Sequence, residues 1–370
     1  MSEAETMPMT DAAVMVDSVS EWMPMASTFL AFLIGALFLA LGVRPLIKGP
    51  PTVLSYSKDF EEYPLEEKEI LSHDTRKFTF KLPEGHVLGL PTGQHMTLKF
   101  VNKEGQTVQR SYTPVTDNES IGKVSFDIKV YKAGVHPKFP DGGQMSQHLD
   151  SLKIGDTILM KGPKGHMEYF GKGKFQVKPL GKPLQQRTCE SIGMMAGGTG
   201  ITPMLQILHA IFKNPSDKTV VKLLYANQSK YLCCVYWYLI SLHKICYMIL
   251  QEKRNVLVFI LSSLLLSYNN FLYDLFIFWS AEDDILVRKE LENLQKKYPE
   301  QFSLHYTLDR APDGWKYSTG FINKEMIEKH LLVRGTKQQF FMCGPPPMIK
   351  FACIPALKEL GFEDKDHVTF

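Results

Sequence analysis

The chain changes its periodicity once, near residue 190, and that change constrains the fold more than any other feature. Before it, KFTFKLP (77–83), HMTLKFV (95–101), KVSFDIKVY (123–131) and DTILMKG (156–162) alternate apolar and polar residues between Gly, Pro, Asn and Asp turns. Two-residue alternation belongs to half-buried strands, and short strands at this spacing predict an antiparallel barrel over 64–175. After it the pattern changes to buried runs and amphipathic helices. SIGMMAGG (191–198) reads as a buried strand, TPMLQILHAIFK (202–213) as a helix and VVKLLYANQ (220–228) as a second strand. The sequence continues with a helix (285–299), a strand (302–310), a helix (323–331), a strand (338–344) and a helix (346–361). Strand–helix alternation predicts a parallel sheet, here over 191–370, with 176–190 as a linker.

Between Trp22 and Val43 there is no charged residue. At about 1.5 Å per residue such a helix just spans a hydrocarbon core. Acidic residues precede it (Glu3, Glu5, Asp11, Asp17, Glu21), and Arg44 and Lys48 follow before the break at Pro50-Pro51. We therefore expect an acidic tail (1–25), a transmembrane anchor (26–47) and a linker (48–63). The positive-inside rule puts the C-terminal part in the cytosol. A signal peptide would need a basic start, and this one is acidic.

Residues 230–280 break the strand–helix alternation and contain no Ala, Gly, Pro or Thr. The codons of Ala, Gly and Pro are GC-rich, so the segment reads as translated AT-rich noncoding sequence. Ser229-Lys230-Tyr231 can be coded AGT-AAG-TAT, which holds a splice donor, and Ser280-Ala281 can be coded with an acceptor CAG. Excision would leave ANQ-T-EDDILVR. The expectation is a retained intron. The rival is a membrane hairpin, but its apolar runs are short and Lys244, Glu252, Lys253 and Arg254 sit among them.

The balance of 42 Lys and Arg against 39 Asp and Glu gives no footprint for nucleic acid. The six cysteines form no CxxC pair, and the eleven histidines show no metal spacing, so no metal is expected. Four segments carry chemistry. Arg110-Ser-Tyr-Thr-Pro114 offers a guanidinium for a diphosphate, a flat ring for an aromatic cofactor and a hydroxyl for a polar ring edge. Gly142-Gly-Gln-Met-Ser146 suits a phosphate through successive N–H groups, or is a plain loop before a helix. Met195-Ala-Gly-Gly-Thr-Gly-Ile-Thr-Pro-Met204 joins a buried strand to a helix, where phosphate binds. Phe341-Met-Cys-Gly-Pro-Pro-Pro-Met348 puts Cys343 at a strand end that faces the crevice of a parallel sheet. That thiol can lie over a redox ring or be simple packing.

RSYTP, GGQMS, GGTGITPM and CGPPPM in this order, with GPKG between the second and third, resemble the NADH–cytochrome b5 reductase family of the ferredoxin–NADP reductase superfamily. The resemblance covers about 65–229 and 281–370, and ANQ-T-E at the repaired junction fits it. It implies a barrel that holds FAD, an α/β domain that holds NADH, hydride transfer from nicotinamide to flavin, and single electrons passed to cytochrome b5. Carried over by motif, Arg110, Ser111, Tyr112, Thr113, Asp127, Lys129, Lys132, Gln144, Met145, Ser146 and Thr202 would hold FAD. Gly198, Thr199, Gly200, Cys343, Gly344, Pro345 and Met348 would form the NADH side. Thr113 and Cys343 would be the catalytic pair, and Asp309 would repel a 2′-phosphate, favouring NADH over NADPH. Ser111, Gln144 and Lys132 depart from the family, which usually has Pro, Lys and an apolar aromatic there. The implied membranes are the endoplasmic reticulum or the mitochondrial outer membrane. Two other readings are a related reductase with another acceptor, and an inactive nucleotide-binding variant if 230–280 is translated.

Overall fold

Six antiparallel strands begin the described structure. They are β1 (Glu61–Ile70), β2 (Thr75–Lys81), β3 (His95–Val101), β4 (Thr107–Tyr112), β5 (Lys123–Lys129) and β6 (Thr157–Lys164), in the spatial order β4-β3-β6-β1-β2-β5. Helix α1 (Gln144–Ser151) connects β5 to β6. The alternating residues face inward as the sequence predicts. Phe78, Phe80, Met96, Leu98, Val124, Phe126, Ile128, Ile158 and Met160 form one buried cluster, which Met145 and Leu149 of α1 join. Each such side chain contributes about 1.5–3 kcal/mol on burial. The structure is a computed structural model that describes residues 49–54, 59–134, 140–227 and 285–370, with Leu33 before them. The chain divides into Met1–Pro51 and Thr52–Phe370, and the second unit holds everything that follows.

A small antiparallel sheet comes next, from β7 (Met167–Gly171), β8 (Lys174–Val177) and β9 (Gln185–Thr188). The stretch 176–190, expected as a linker, therefore holds the end of β8 and all of β9. β9 is QQRT and has no buried apolar residue, so no alternation announced it. The barrel also starts before residue 64. β1 begins at Glu61, where Glu61 to Pro64 pair with Thr157 to Met160.

The second sheet is parallel, in the order β13-β12-β11-β10-β14-β15. It contains β10 (Ser191–Gly197), β11 (Val220–Asn227), β12 (Phe302–Leu308), β13 (Ser318–Thr319), β14 (Gln338–Cys343) and β15 (His367–Thr369). The helices are α2 (Ile201–Lys213), α3 (Arg288–Lys297), α4 (Lys324–His330), α5 (Pro346–Met348) and α6 (Ile354–Glu359), the last two joined by a π-helical turn (Ile349–Cys353). Alternate strand residues feed two cores. Met194, Ala196, Leu223, Tyr225 and Phe341 pack with Met204, Leu208 and Leu291 on one face. Met195, Leu224, Phe340 and Met342 pack with Met326, Ile327 and Leu357 on the other. Both faces are covered, as a parallel sheet requires.

No helix among the described residues is long and apolar enough to cross a membrane. The anchor expected at 26–47 lies outside the described residues except for Leu33, and the insert 230–280 lies wholly outside them.

Candidate functional site

The strand ends of the second sheet open on a cavity of about 1300 Å³ whose other wall is the barrel. β10 is buried along its whole length and ends in a 3-10 turn, Gly198–Gly200, that leads into α2. Gly198 sits at φ +54, a region that favours glycine, and a Cβ there would meet only open space. A Cβ on Gly200 would collide with the carbonyl oxygen of Cys343. One on Gly197 would stand 2.7 Å from Met348 Sδ, and one on Gly344 3.0 Å from Gly197 N. The ends of β10 and β14 thus approach backbone to backbone, which only glycine permits. Tyr225, fully buried on β11, donates from its hydroxyl to Gly198 O at 3.0 Å and fixes the turn from behind. No side chain caps α2, and Thr202 Oγ1 turns back to Thr199 O at 3.2 Å. An uncapped helix start at the cavity is a place for a phosphate.

The barrel wall comes from the ends of β4 and β5. Ser111, Tyr112, Thr113, Asp127 and Lys129 line the cavity, with Tyr131 just beyond. Tyr112 packs edge-on to Phe126, ring centroids 6.5 Å apart, and burial pushes its hydroxyl up to about 12. Lys129 Nζ pairs with Asp74 Oδ2 at 3.0 Å. Burial alone would raise the Asp74 carboxyl, but Lys129 and its smaller partners outweigh it and hold it below the ordinary value. Burial raises Asp127 to about 6, with Lys77 opposing. From the other wall, Gly198, Thr199, Gly200, Thr202 and Asp309 line the same cavity, as do Cys343, Gly344, Pro345 and Met348. Burial pushes the Cys343 thiol up to about 11, so at neutral pH it is an uncharged S–H.

Five expected residues lie outside this lining: Arg110, Lys132, Gln144, Met145 and Ser146. Arg110 is exposed on β4, and its Nη1 donates to Gln109 O at 2.7 Å. Met145 is in the barrel core. Ser146 Oγ accepts from Tyr131 N at 3.1 Å and donates to Gly143 O at 3.0 Å, so this hydroxyl ties the GGQMS turn to the end of β5. Gln144 and Lys132 are exposed beside that turn.

Sequence reasoning gave Gly197 no role beyond its place in the motif, and it missed Tyr225 and Asn227. Asn227 lines the cavity at the end of β11, with Nδ2 buried and, among the described residues, without a hydrogen-bond partner. Its position at a C-terminal strand end was the available signal. A glycine cradle with an uncapped helix start, a buried donor without a partner, and an aromatic ring with an adjacent hydroxyl fit a dinucleotide and a flat cofactor ring.

Comparison with known proteins agrees. Residues 62–169 match the oxidoreductase FAD-binding domain family, and 194–236 with 271–354 match the oxidoreductase NAD-binding domain family. The chain is 43% identical to NADH-cytochrome b5 reductase 2 of Xenopus laevis over 345 residues, 93% of this chain and 97% of that protein. It belongs to the NADH-cytochrome b5 reductase family. Within that family it is also 42% identical to NADH-cytochrome b5 reductase 3 of Rattus norvegicus, over 90% of this chain and 93% of that one. The cytochrome b5 reductase domain of Ulva prolifera nitrate reductase superposes with a TM-score of 0.67 at 38% identity, covering 86% of this chain and 99% of that one. The fold is ferredoxin reductase-like, an antiparallel barrel-like FAD domain followed by a parallel-sheet NAD domain.

Proposed function

We propose that this chain is a membrane-anchored NADH-dependent flavoprotein that reduces cytochrome b5. The observation that carries this is that Tyr112 and Thr113 of the barrel line the same cavity as Gly198–Gly200 and Cys343 of the parallel sheet. When bound there, FAD accepts a hydride from NADH and hands the electrons on singly to a haem protein. The residues supply position. Tyr112 and Thr113 would hold the flavin ring, the one by its aromatic ring and the other by its hydroxyl, and Lys129 lines the cavity beside them, held by Asp74. The turn Gly198–Gly200 and the start of α2 receive the dinucleotide phosphates. Cys343 orients the nicotinamide as a neutral thiol at the strand end. Asp309 lines the same cavity, where its charge would repel a 2′-phosphate and so favour NADH.

The anchor reading (26–47) rests on the uncharged run and its flanking charges, which put the catalytic part in the cytosol, on the endoplasmic reticulum or mitochondrial outer membrane. The intron reading of 230–280 rests on its composition and junctions. The NAD-domain match leaves out 237–270, which supports an insert there, but it includes 230–236 and 271–280.

The test is an acceptor panel on purified protein. Yellow colour with NADH-driven reduction of both ferricyanide and cytochrome b5 supports the proposal. Ferricyanide turnover alone points to another acceptor, and bound nucleotide without turnover to an inactive variant.

A further inference from the structure

Asp127 differs from the other groups on the barrel wall because its buried carboxylate has only a long ion pair, with Lys77 at 4.0 Å, and Oδ1 accepts no hydrogen bond among the described residues. Val124, Phe126 and Ile128 of β5 point into the barrel core, so the two-residue alternation puts Ser125, Asp127 and Lys129 on the opposite face. Ser125 Oγ bonds Thr79 Oγ1 at 2.9 Å, and Lys129 reaches Asp74 at 3.0 Å. Among the described residues Asp127 has no such bond. Its side chain is 4% exposed, and Lys77 Nζ stands 4.0 Å from Oδ1. Oδ1 is buried without a hydrogen-bond partner. Asp127 nevertheless lines the cavity, and its strand packs against the turn Gly198–Gly200. A buried acceptor left unfilled costs about 1–3 kcal/mol, more when charged, so a proton or a ligand must satisfy it.

We propose that Asp127 is the proton-accepting group of the redox pocket, taking up a proton when the bound flavin is reduced and releasing it on reoxidation. This rests on the reading of the cavity as the flavin site. The balance is simple. NADH gives its hydride to the flavin and leaves as NAD+, while a proton from solvent forms an O–H bond at Asp127. When two one-electron acceptors remove the electrons, the transferred hydrogen leaves the flavin as a proton, and the Asp127 O–H bond breaks to return its own proton to solvent.

The direction follows from electrostatics. A carboxylate beside a centre that gains negative charge is disfavoured, so its proton affinity rises. The surroundings place Asp127 where such a change matters. Burial already lifts it to about 6, Lys77 on β2 pulls it down, and Glu290 on α3 and Glu69 on β1 push it up. Glu290 is itself paired with His209 of α2 at 2.7 Å. Lys129 is spoken for by Asp74, and the Gly198–Gly200 turn carries no ionisable side chain.

The test is the midpoint potential of the FAD-loaded full chain without nicotinamide, from pH 5 to pH 8, in wild type and Asp127→Asn. Above pH 6 the carboxylate opposes reduction in wild type only. At pH 8 the variant should therefore be reduced about tenfold more readily, ~30 mV for a two-electron couple, and the two curves should converge at pH 5. Parallel curves would overturn the proposal while leaving the flavin reading intact. A wild-type protein that takes up no FAD would overturn both. If Asp127→Asn loses its flavin, the reduced-minus-oxidised infrared spectrum of wild type at pH 7 decides. It should gain the carbonyl stretch of a protonated carboxyl, and its absence would refute the role.

Discussion

Cys343 and Gly200 meet at one point of the cavity and fail in different ways when changed. The Cys343 thiol, raised to about 11 by burial, is neutral across the physiological range. Cys343→Ala should keep FAD and slow flavin reduction by NADH by up to ~10²-fold, as expected for lost orientation. The ratio to wild type should be constant from pH 6 to pH 9 in stopped flow. A ratio that grew with pH would make the thiolate the active form. Gly200→Ala should act through the backbone. Its Cβ would collide with Cys343 O, so the ends of β10 and β14 must part. We expect about 1–3 kcal/mol lost in denaturant unfolding, with weaker NADH binding. Arg110→Ala should cost ~1.5–3 kcal/mol of FAD affinity if the guanidinium swings from Gln109 O to a diphosphate, and an unchanged titration would refute that role. At this scale the sequence was readable where a motif sits at a strand end, as GGTGITP and CGPPPM do on the cavity wall. Tyr225 was not, because a Tyr in a buried strand looks like packing until its hydroxyl is seen on Gly198.

Among the elements, the small β7–β8–β9 sheet shares the apolar core of the parallel domain and is tied to it further by a buried carboxylate. Asp217 accepts from Tyr169 Oη at 2.7 Å, Lys172 N at 2.6 Å, Thr219 N at 3.0 Å and Thr219 Oγ1 at 2.6 Å. Asp217→Ala would strand these donors and should cost at least ~3 kcal/mol in unfolding, far more than Lys213→Ala, whose pairs with Asp117 and Glu119 are exposed. Equal costs for the two would mean that the Asp217 cluster is not a structural tie. Gln206 Oε1 of α2 accepts from Gly93 N at 2.6 Å and links the barrel to the helix that starts at the glycine turn. The strongly patterned strands β2, β3, β5 and β6 were legible because one face is apolar. β1 was not read as a strand, since only Tyr63 and Leu65 of its ten residues are buried and a bulge follows Leu65. β15 has one buried residue and no room for a period.

At the scale of the whole molecule, about fifty mostly apolar residues at 230–280 enter the chain just after β11. Loop closure alone would be tolerable, since its cost grows only with the logarithm of length. An apolar loop without a covering surface is an aggregation liability. A chain with 229–281 replaced by a single Thr should be more soluble and more active with NADH, and equal behaviour would make the insert a genuine element. Removing 1–48 should release a soluble flavoprotein that still reduces ferricyanide, since no cofactor motif lies there. If one cavity carries electrons from NADH to cytochrome b5, an anaerobic titration of the purified flavoprotein will show it in two steps. NADH should bleach the flavin absorbance, and oxidised cytochrome b5 added next should restore it as the haem is reduced. A flavin that NADH does not bleach, or that stays bleached when cytochrome b5 is added, would contradict the account.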